Sequence, residues 1–364
     1  MKAVVTGGAG FLGAKIVERL LRRGDDVVIV SRNAKGSDPV FGTKTGSDPL
    51  RVNADLRDAD DVASAFAGAD VVFHTAAKAG VWGPRAEYFG INLAGTRNVL
   101  AACHKHGVQQ LVYTSTPSVV FERGGIDGGD ESLPYPKKFL THYAESKALA
   151  EQEVLAANGV HGLRTVALRP HLIWGRGDPH LLPRVLERAR EGKLKQVGDG
   201  RNRVDITHVN DAADAHLLAL EHIERAAGKA YFISSETVEL WPWLNTVLER
   251  AGIPKLGAQV SAATAYRAGA VMEFIWRLLG IGAEPPMTRF VAENLATSHW
   301  FKLDAARRDL GYRPQWMGAK ALDEYFCNGP AITGGETTLD SDLGSDSPGL
   351  PAGAEGALQE QRHG

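Results

Sequence analysis

The chain has 364 residues, of which 44% are hydrophobic and 23% charged, with a formal net charge of −2 at pH 7 and two cysteines. Such a length allows two domains or one large one, and so small a charge gives no electrostatic case for nucleic acid or an anionic membrane as partner. Cys103 in "AACHKHG" and Cys327 in "EYFCNGP" have neither metal-ligand spacing nor a disulfide framework, which fits a reducing compartment.

The opening "MKAVVTGGAGFLG" is apolar and glycine-rich but has no secretory apolar region followed by a small-residue cleavage site. Within it, "KAVVT" reads as a strand, the glycines as a turn, and "FLGAKIVERLLRRG" as a helix that Gly24 ends. Further short apolar runs follow: "DVVIVSR" (26–32), "ADVVFHTAA" (69–77), "QQLVYTST" (109–116) and "GLRTVALRP" (162–170). The helical patterns "DADDVASAFAG", "NLAGTRNVLAACHKHG" and "AESKALAEQEVLAANG" lie between them. That alternation predicts βαβ units and a buried parallel sheet, hence a doubly wound α/β fold of the dinucleotide-binding Rossmann kind.

After Pro170 the rhythm changes. "LLPRVLERAREGKL" reads as a helix, "RVDITHV" and "NDAADAHLLALEHIE" as a strand and helix returning to the sheet, and "KAYFIS" as another strand. From Val238 onward the pattern is mostly helical. The expected organisation is a dinucleotide-binding domain of residues 1–170 and about 204–235, and a smaller substrate-binding region of 171–203 and 236–330. "NAKGSDPVFGTKTGSDP" (33–49) reads as a long loop, its two "GSDP" copies too short to be a structural repeat. The tail 331–364, polar and acidic, is expected to be disordered. "AYRAGAVMEFIWRLLGIG" (265–282) is interrupted by Arg267, Glu273 and Arg277, too charged for a membrane span. A cytoplasmic protein without stable membrane insertion is expected.

"TGGAGFLG" spaces Gly7, Gly10 and Gly13 three apart, between a strand and a helix. Glycines there give a tight turn, a close backbone approach and a close helix–strand contact, so that a pyrophosphate reaches the helix N-terminus. An acid after the second strand would bind the ribose of NAD; here stand Ser31, Arg32 and Asn33 instead. Arg32 suits a 2′-phosphate, so NADP(H) is expected, with NAD(H) the alternative. Asp55 in "NADLRD" is either a hydrogen-bond acceptor for the adenine amine or part of a helix N-cap.

Tyr143 and Lys147 in "FLTHYAESKALAEQ" share one helix face at i and i+4. They are either an acid and its helper or two ordinary residues. Taken together, "TGGAGFLG", "ADLRD", "FHTAA", "YTST" and "YAESK" resemble the extended short-chain dehydrogenase/reductase family over residues 1–327. The resemblance implies that Tyr143 is the general acid/base and that Lys147 binds the nicotinamide ribose and lowers the phenol pKa. Thr116, with Ser115 as its neighbour and alternative, would polarise the substrate oxygen. It also implies that Phe11, Leu12, Leu56, Thr75, Ala76, Ala77 and Pro170 join the glycines at the cofactor. The chemistry is coherent: a phenol of pKa near 10 needs a nearby positive charge to act near neutrality, and a hydroxyl steadies developing oxyanion charge. A binding-only sensor of this fold would lack the Tyr or the Lys.

"YTSTPSVVF", "LRPHLIWGRGD", "VDITHVNDAADAH" and "TSHWFKLDAARRDLGYRP" look like the 3β-hydroxysteroid/sterol dehydrogenase branch. Within it, "FHTAAKAGVWGP", "STPSV" and "HLLPRV" resemble the reductases of 2-alkyl-3-oxo acids in bacterial long-chain olefin biosynthesis. The implied activity is NADP(H)-dependent reduction of a 2-alkyl-3-oxo acid to the 3-hydroxy acid. Sterol-4-carboxylate or 3β-hydroxysteroid dehydrogenation is the alternative. A nucleotide-sugar epimerase or dehydratase comes next, disfavoured because Thr116-Pro117-Ser118 stands where dehydratases carry T-D-E and no Asn follows the fifth run. An acid needs a cationic or donor-rich anchor, and Lys78, His171 and Arg176, following strand ends, are the candidates. Ala270, Phe274 and Leu278 mark a helix that is either a wall of an alkyl pocket or plain core, with Trp241, Trp243, Trp276, Leu279 and Trp300 as further wall candidates. The expected partner is a small hydrophobic acid; a homodimer and a complex with pathway enzymes are also expected.

Overall fold

The run Lys2–Thr6 forms β1, whose Ala3, Val4 and Val5 are fully buried. A strand apolar on both faces needs cover on both sides, and β1 finds it in the middle of a seven-stranded parallel sheet. The computed structural model describes residues 1–32 and 48–327; most of the loop 33–49 and the tail 331–364 lie outside the described residues. Across the sheet the order is Ala230–Ile233, Arg164–Pro170, β5 (Gln110–Thr114), β4 (Val71–His74), β1, β2 (Asp26–Ser31) and β3 (Leu50–Asn53). The chain thus runs outward from β1 through β2 and β3, then crosses back to β4 on the other side. At such a reversal the strand ends open a crevice for a ligand.

The helices that bear on the site are α1 (Phe11–Arg23), α2 (Ala59–Ala65), α3 (Arg85–Tyr88), α4 (Gly95–His106) and α5 (His142–Ala156). Alternate side chains of β1 serve opposite faces. Ala3 and Val5 join Ile16, Val17 and Leu20 of α1, while Val4 joins Val99, Leu100 and Cys103 of α4. Each such buried aliphatic side chain is worth about 1.5–3 kcal/mol over exposure, and Leu20→Ala would cost about 2–5 kcal/mol. Gly24, at φ +85°, ends α1 in the left-handed conformation and donates its N–H to the last carbonyls. Between α3 and α4, Phe89–Ala94 forms a π-helix.

The strand Arg203–His208 does not return to the main sheet as expected. It pairs antiparallel with Glu236–Glu239 and parallel with His299–Phe301, in a second sheet that also includes Ile126–Gly129. Its buried Asp205 is satisfied there, accepting from Thr237 Oγ1 at 2.6 Å and Phe301 N at 2.8 Å. The helix Val209–Glu221 does return, resting on α1, and leads to Ala230–Ile233, which takes the seventh place. The described residues between Met1 and Gly329 form one compact unit. No helix among them is long and apolar enough to cross a membrane.

Candidate active site

Gly7, at φ +71°, turns the chain out of β1; its N–H donates to the Val30 carbonyl at 2.7 Å. A Cβ on Gly7 would come within 2.9 Å of the Ala76 backbone, and one on Gly13 within 2.1 Å of the Gly7 oxygen. Gly10 starts α1 without a side-chain cap, so the first N–H groups of the helix face the crevice. A groove of about 730 Å³ results. Of the residues expected at the cofactor, all but Tyr143, Lys147 and Pro170 line it; Pro170 ends its strand opposite Ile233. The backbone cradle fits a pyrophosphate, and Ser31 Oγ, buried beside it without a partner in the protein, offers a further polar atom. At the rim, Asp55 accepts from the Arg57 guanidinium at 2.6–3.1 Å; that pair, with Arg32 nearby, holds its carboxyl below the usual range.

Thr141 starts α5, its hydroxyl accepting from Ala144 N at 3.1 Å. Tyr143, Lys147 and Glu151 then follow one another at successive turns of the helix. Lys147 is 2% exposed; its Nζ donates to the Thr114 carbonyl at 2.6 Å and lies 4.1 Å from the Tyr113 ring centre. Burial draws this ammonium down to about 7, with Glu151 acting against it. The Tyr143 phenol is pushed up by burial, while a hydrogen bond with Thr116 pulls it down. The net shift of the phenol is upward, its burial outweighing the bond with Thr116. Thr116, whose hydroxyl donates to Ser118 Oγ at 3.2 Å, is the hydroxyl near enough to the phenol to lower it. Ser115 Oγ is buried without a partner, and its N–H donates to Leu168 at 2.6 Å.

Two supports escaped the sequence. Glu151 accepts a bidentate pair from the buried Arg169 at 2.6 and 3.0 Å and a hydrogen bond from the half-buried Tyr135 hydroxyl at 2.7 Å. Its spacing of four from Lys147 was a readable signal. Asn92, in the π-helix, grips the Lys78 backbone at both ends (2.7 and 3.1 Å) and donates to Ser146 at 3.0 Å. Nothing local marks it.

A second cavity, of about 560 Å³, adjoins the start of α5. Val81, Trp82, Arg85 and Tyr88 wall one side, Phe139 to His142 and Glu145 another, Arg277, Ile281 and Arg289 a third. Trp82 Nε1 donates to the Ile281 carbonyl at 3.3 Å, tying two walls together. Tyr88 is pushed up to about 12 chiefly by burial, and the Tyr143 phenol is close enough to add to that rise.

The expected substrate anchors lie elsewhere. Lys78 lines the dinucleotide groove and is paired with Glu87 at 2.6 Å. His171 shares a 2.7 Å hydrogen bond with His299, and burial pushes it well below its ordinary pKa, so it is a neutral interior residue. Arg176 is exposed and lines neither cavity. The expected alkyl wall is also displaced. Phe274, Leu278 and Leu279 are 65%, 72% and 64% exposed, and Trp241 belongs to a separate core with Trp174 and Leu244. The helix Ala262–Leu278 buries Ala265, Gly269 and Glu273 and packs against the helix Arg289–Ala296, where only a glycine at 269 permits so close an approach to Thr288.

Comparison with protein families matches residues 4–260 to the 3-beta hydroxysteroid dehydrogenase/isomerase family. The 2-alkyl-3-oxoalkanoate reductase of Stenotrophomonas maltophilia is 47% identical over 321 residues, 86% of this chain and 95% of its own length. That of Shewanella oneidensis is 46% identical, over 85% and 81%. Among solved structures, the UDP-glucose 4-epimerase of Thermus thermophilus in complex with NAD is similar at a TM-score of 0.66 and 26% identity, over 90% of this chain and 97% of the other.

Proposed function

Because the chain belongs to the 3-beta hydroxysteroid dehydrogenase/isomerase family, we propose that it reduces a 2-alkyl-3-oxo acid to the 3-hydroxy acid. It is an NAD(P)-dependent oxidoreductase of hydroxyl–carbonyl pairs. The observation that carries the substrate class is the cavity at the start of α5, where Val81, Trp82, Phe139 and Leu140 stand with Arg85, Arg277 and Arg289. Apolar walls with cationic side chains suit a lipophilic acid. The two bacterial relatives named for that activity support it.

When bound, the reduced dinucleotide supplies a hydride to the carbonyl carbon. Tyr143, its proton held tightly by burial, gives that proton to the carbonyl oxygen, completing the alcohol. Thr116 donates a hydrogen bond where charge develops on that oxygen. Lys147 is the residue that would hold the nicotinamide ribose, fixed by its bond to Thr114. Arg32, at the end of β2 where the sequence has no acid, supports a preference for NADP(H) through the 2′-phosphate, the nearby Asp55 being held by Arg57. The reducing-compartment reading of the cysteines supports a cytoplasmic setting.

The test is loss of NADPH absorbance with the purified protein and a panel of 2-alkyl-3-oxo acids, sterol acids and UDP-sugars. Turnover of the oxo acids is expected. A sterol acid outperforming every oxo acid, or turnover of UDP-glucose, would overturn the assignment.

A further inference from the structure

The three arginines on the cavity wall differ in what already holds them. Arg289 donates to Glu273 Oε2 through Nε at 2.9 Å, with Nη2 2.7 Å from the same oxygen, and its backbone N–H donates to Oε1 at 2.7 Å. Glu273 is only 6% exposed, so Arg289 is committed to neutralising a buried carboxylate. Arg85 meets Glu145 at 3.4 Å and lies 3.6 Å from the centre of the Phe89 ring. Arg277 is placed differently. Its nearest carboxylate oxygen is Glu273 Oε2 at 3.8 Å, beyond hydrogen-bond reach and already taken by Arg289. Its guanidinium lies 5.5 Å from the Trp82 ring centre, and the side chain is 65% exposed. Trp82 is itself tied to Ile281, which limits the directions the fork can take.

We propose that Arg277 holds the substrate carboxylate, its planar fork pairing with both oxygens while the Trp82 ring fixes its plane. This rests on the reading of the substrate as a 3-oxo acid. In such an acid a single carbon separates carboxylate from ketone, so the residue that holds the first must stand near the group that meets the second. Arg277 shares its chamber with Tyr88, Thr141, His142 and Glu145; Tyr143 is not part of that lining, but its phenol is close enough to Tyr88 to raise it.

The experiment runs the reaction in the oxidising direction, with NADP⁺, a 2-alkyl-3-hydroxy acid and its methyl ester. Arg277→Gln should raise KM for the acid about 10- to 100-fold, the range of a lost hydrogen bond to a charged group, with kcat little changed. The ester, which has no carboxylate, should be used equally well by variant and wild type. Arg277→Lys should recover part of the loss, and NADP⁺ affinity by fluorescence titration should not move. Equal impairment of acid and ester by Arg277→Gln, or an unchanged KM for the acid, overturns the assignment of Arg277 alone. A wild-type enzyme inert toward both compounds overturns the substrate reading and this assignment together.

Discussion

The dinucleotide groove is shaped around the glycine turn after β1 and the ends of neighbouring strands, whereas the cavity at the start of α5 is lined from segments 81–88, 139–145 and 277–289. The groove tolerates little: a methyl group at Gly7 or Gly13 already collides with main chain. The cavity can be recut one side chain at a time without touching the strands that support it. A fold built this way keeps its cofactor while its substrate changes, which is how one scaffold hosts relatives as different as a reductase and an epimerase.

The largest expected effect lies at Tyr143, which lines neither region. Tyr143→Phe should lower kcat about 10²- to 10⁴-fold while leaving the NADPH Kd unchanged, because it removes the proton donor and no part of either wall. Near-wild-type kcat would break the mechanism. Gly13→Val should weaken NADPH about 10- to 100-fold and lower Tm, since its side chain must displace the Gly7 carbonyl. Leu140→Ala, in the cavity, should leave cofactor affinity alone and flatten the preference for long alkyl chains. If Gly13→Val bound NADPH normally, the contrast between a glycine turn that admits no side chain and a cavity that can be recut would fail. Arg32→Ala should weaken NADPH about tenfold and NADH hardly at all; wild-type protein with equal affinity for both would remove Arg32 from the phosphate.

The smallest effect is a pH slope. Burial takes Lys147 down to about 7, whereas in the unfolded chain it titrates near 10.4. Between those values the unfolded state carries the extra proton, so this residue makes stability rise with pH, by at most about 1.4 kcal/mol per unit. Below about 7 both states are protonated and its contribution is flat. Lys147→Met should therefore show a shallower rise of Tm than wild type from pH 7 to 10. Parallel curves would mean the ammonium is not held in a dry site.

The same contrast explains what could be read from the amino acids. The glycine loop, the strand-helix alternation and the Tyr143–Lys147 spacing are local, so their geometry is written in consecutive residues. "RVDITHV" misled because its alternation suits any sheet, and the choice between sheets was made by partners such as Thr237 and Phe301. The helix Ala262–Leu278 misled for another reason. Its large apolar residues mark a face, but Ala265 and Gly269 won the buried side because small residues permit closer approach. Arg277 looked like a mere interruption of an apolar segment; its surroundings became visible only with Trp82 beside it.

The π-helix Phe89–Ala94 makes the number of residues itself a structural quantity. Each residue turns an α-helix by about 100°, and a π-turn is an α-turn widened by one insertion. Deleting any one residue between 89 and 94 would let regular winding resume and rotate the chain before it relative to α4. Asn92 would then leave the Lys78 backbone and Ser146, two points that join the end of β4 to α5. A loop absorbs such a deletion by slackening; this turn would transmit it as a rotation.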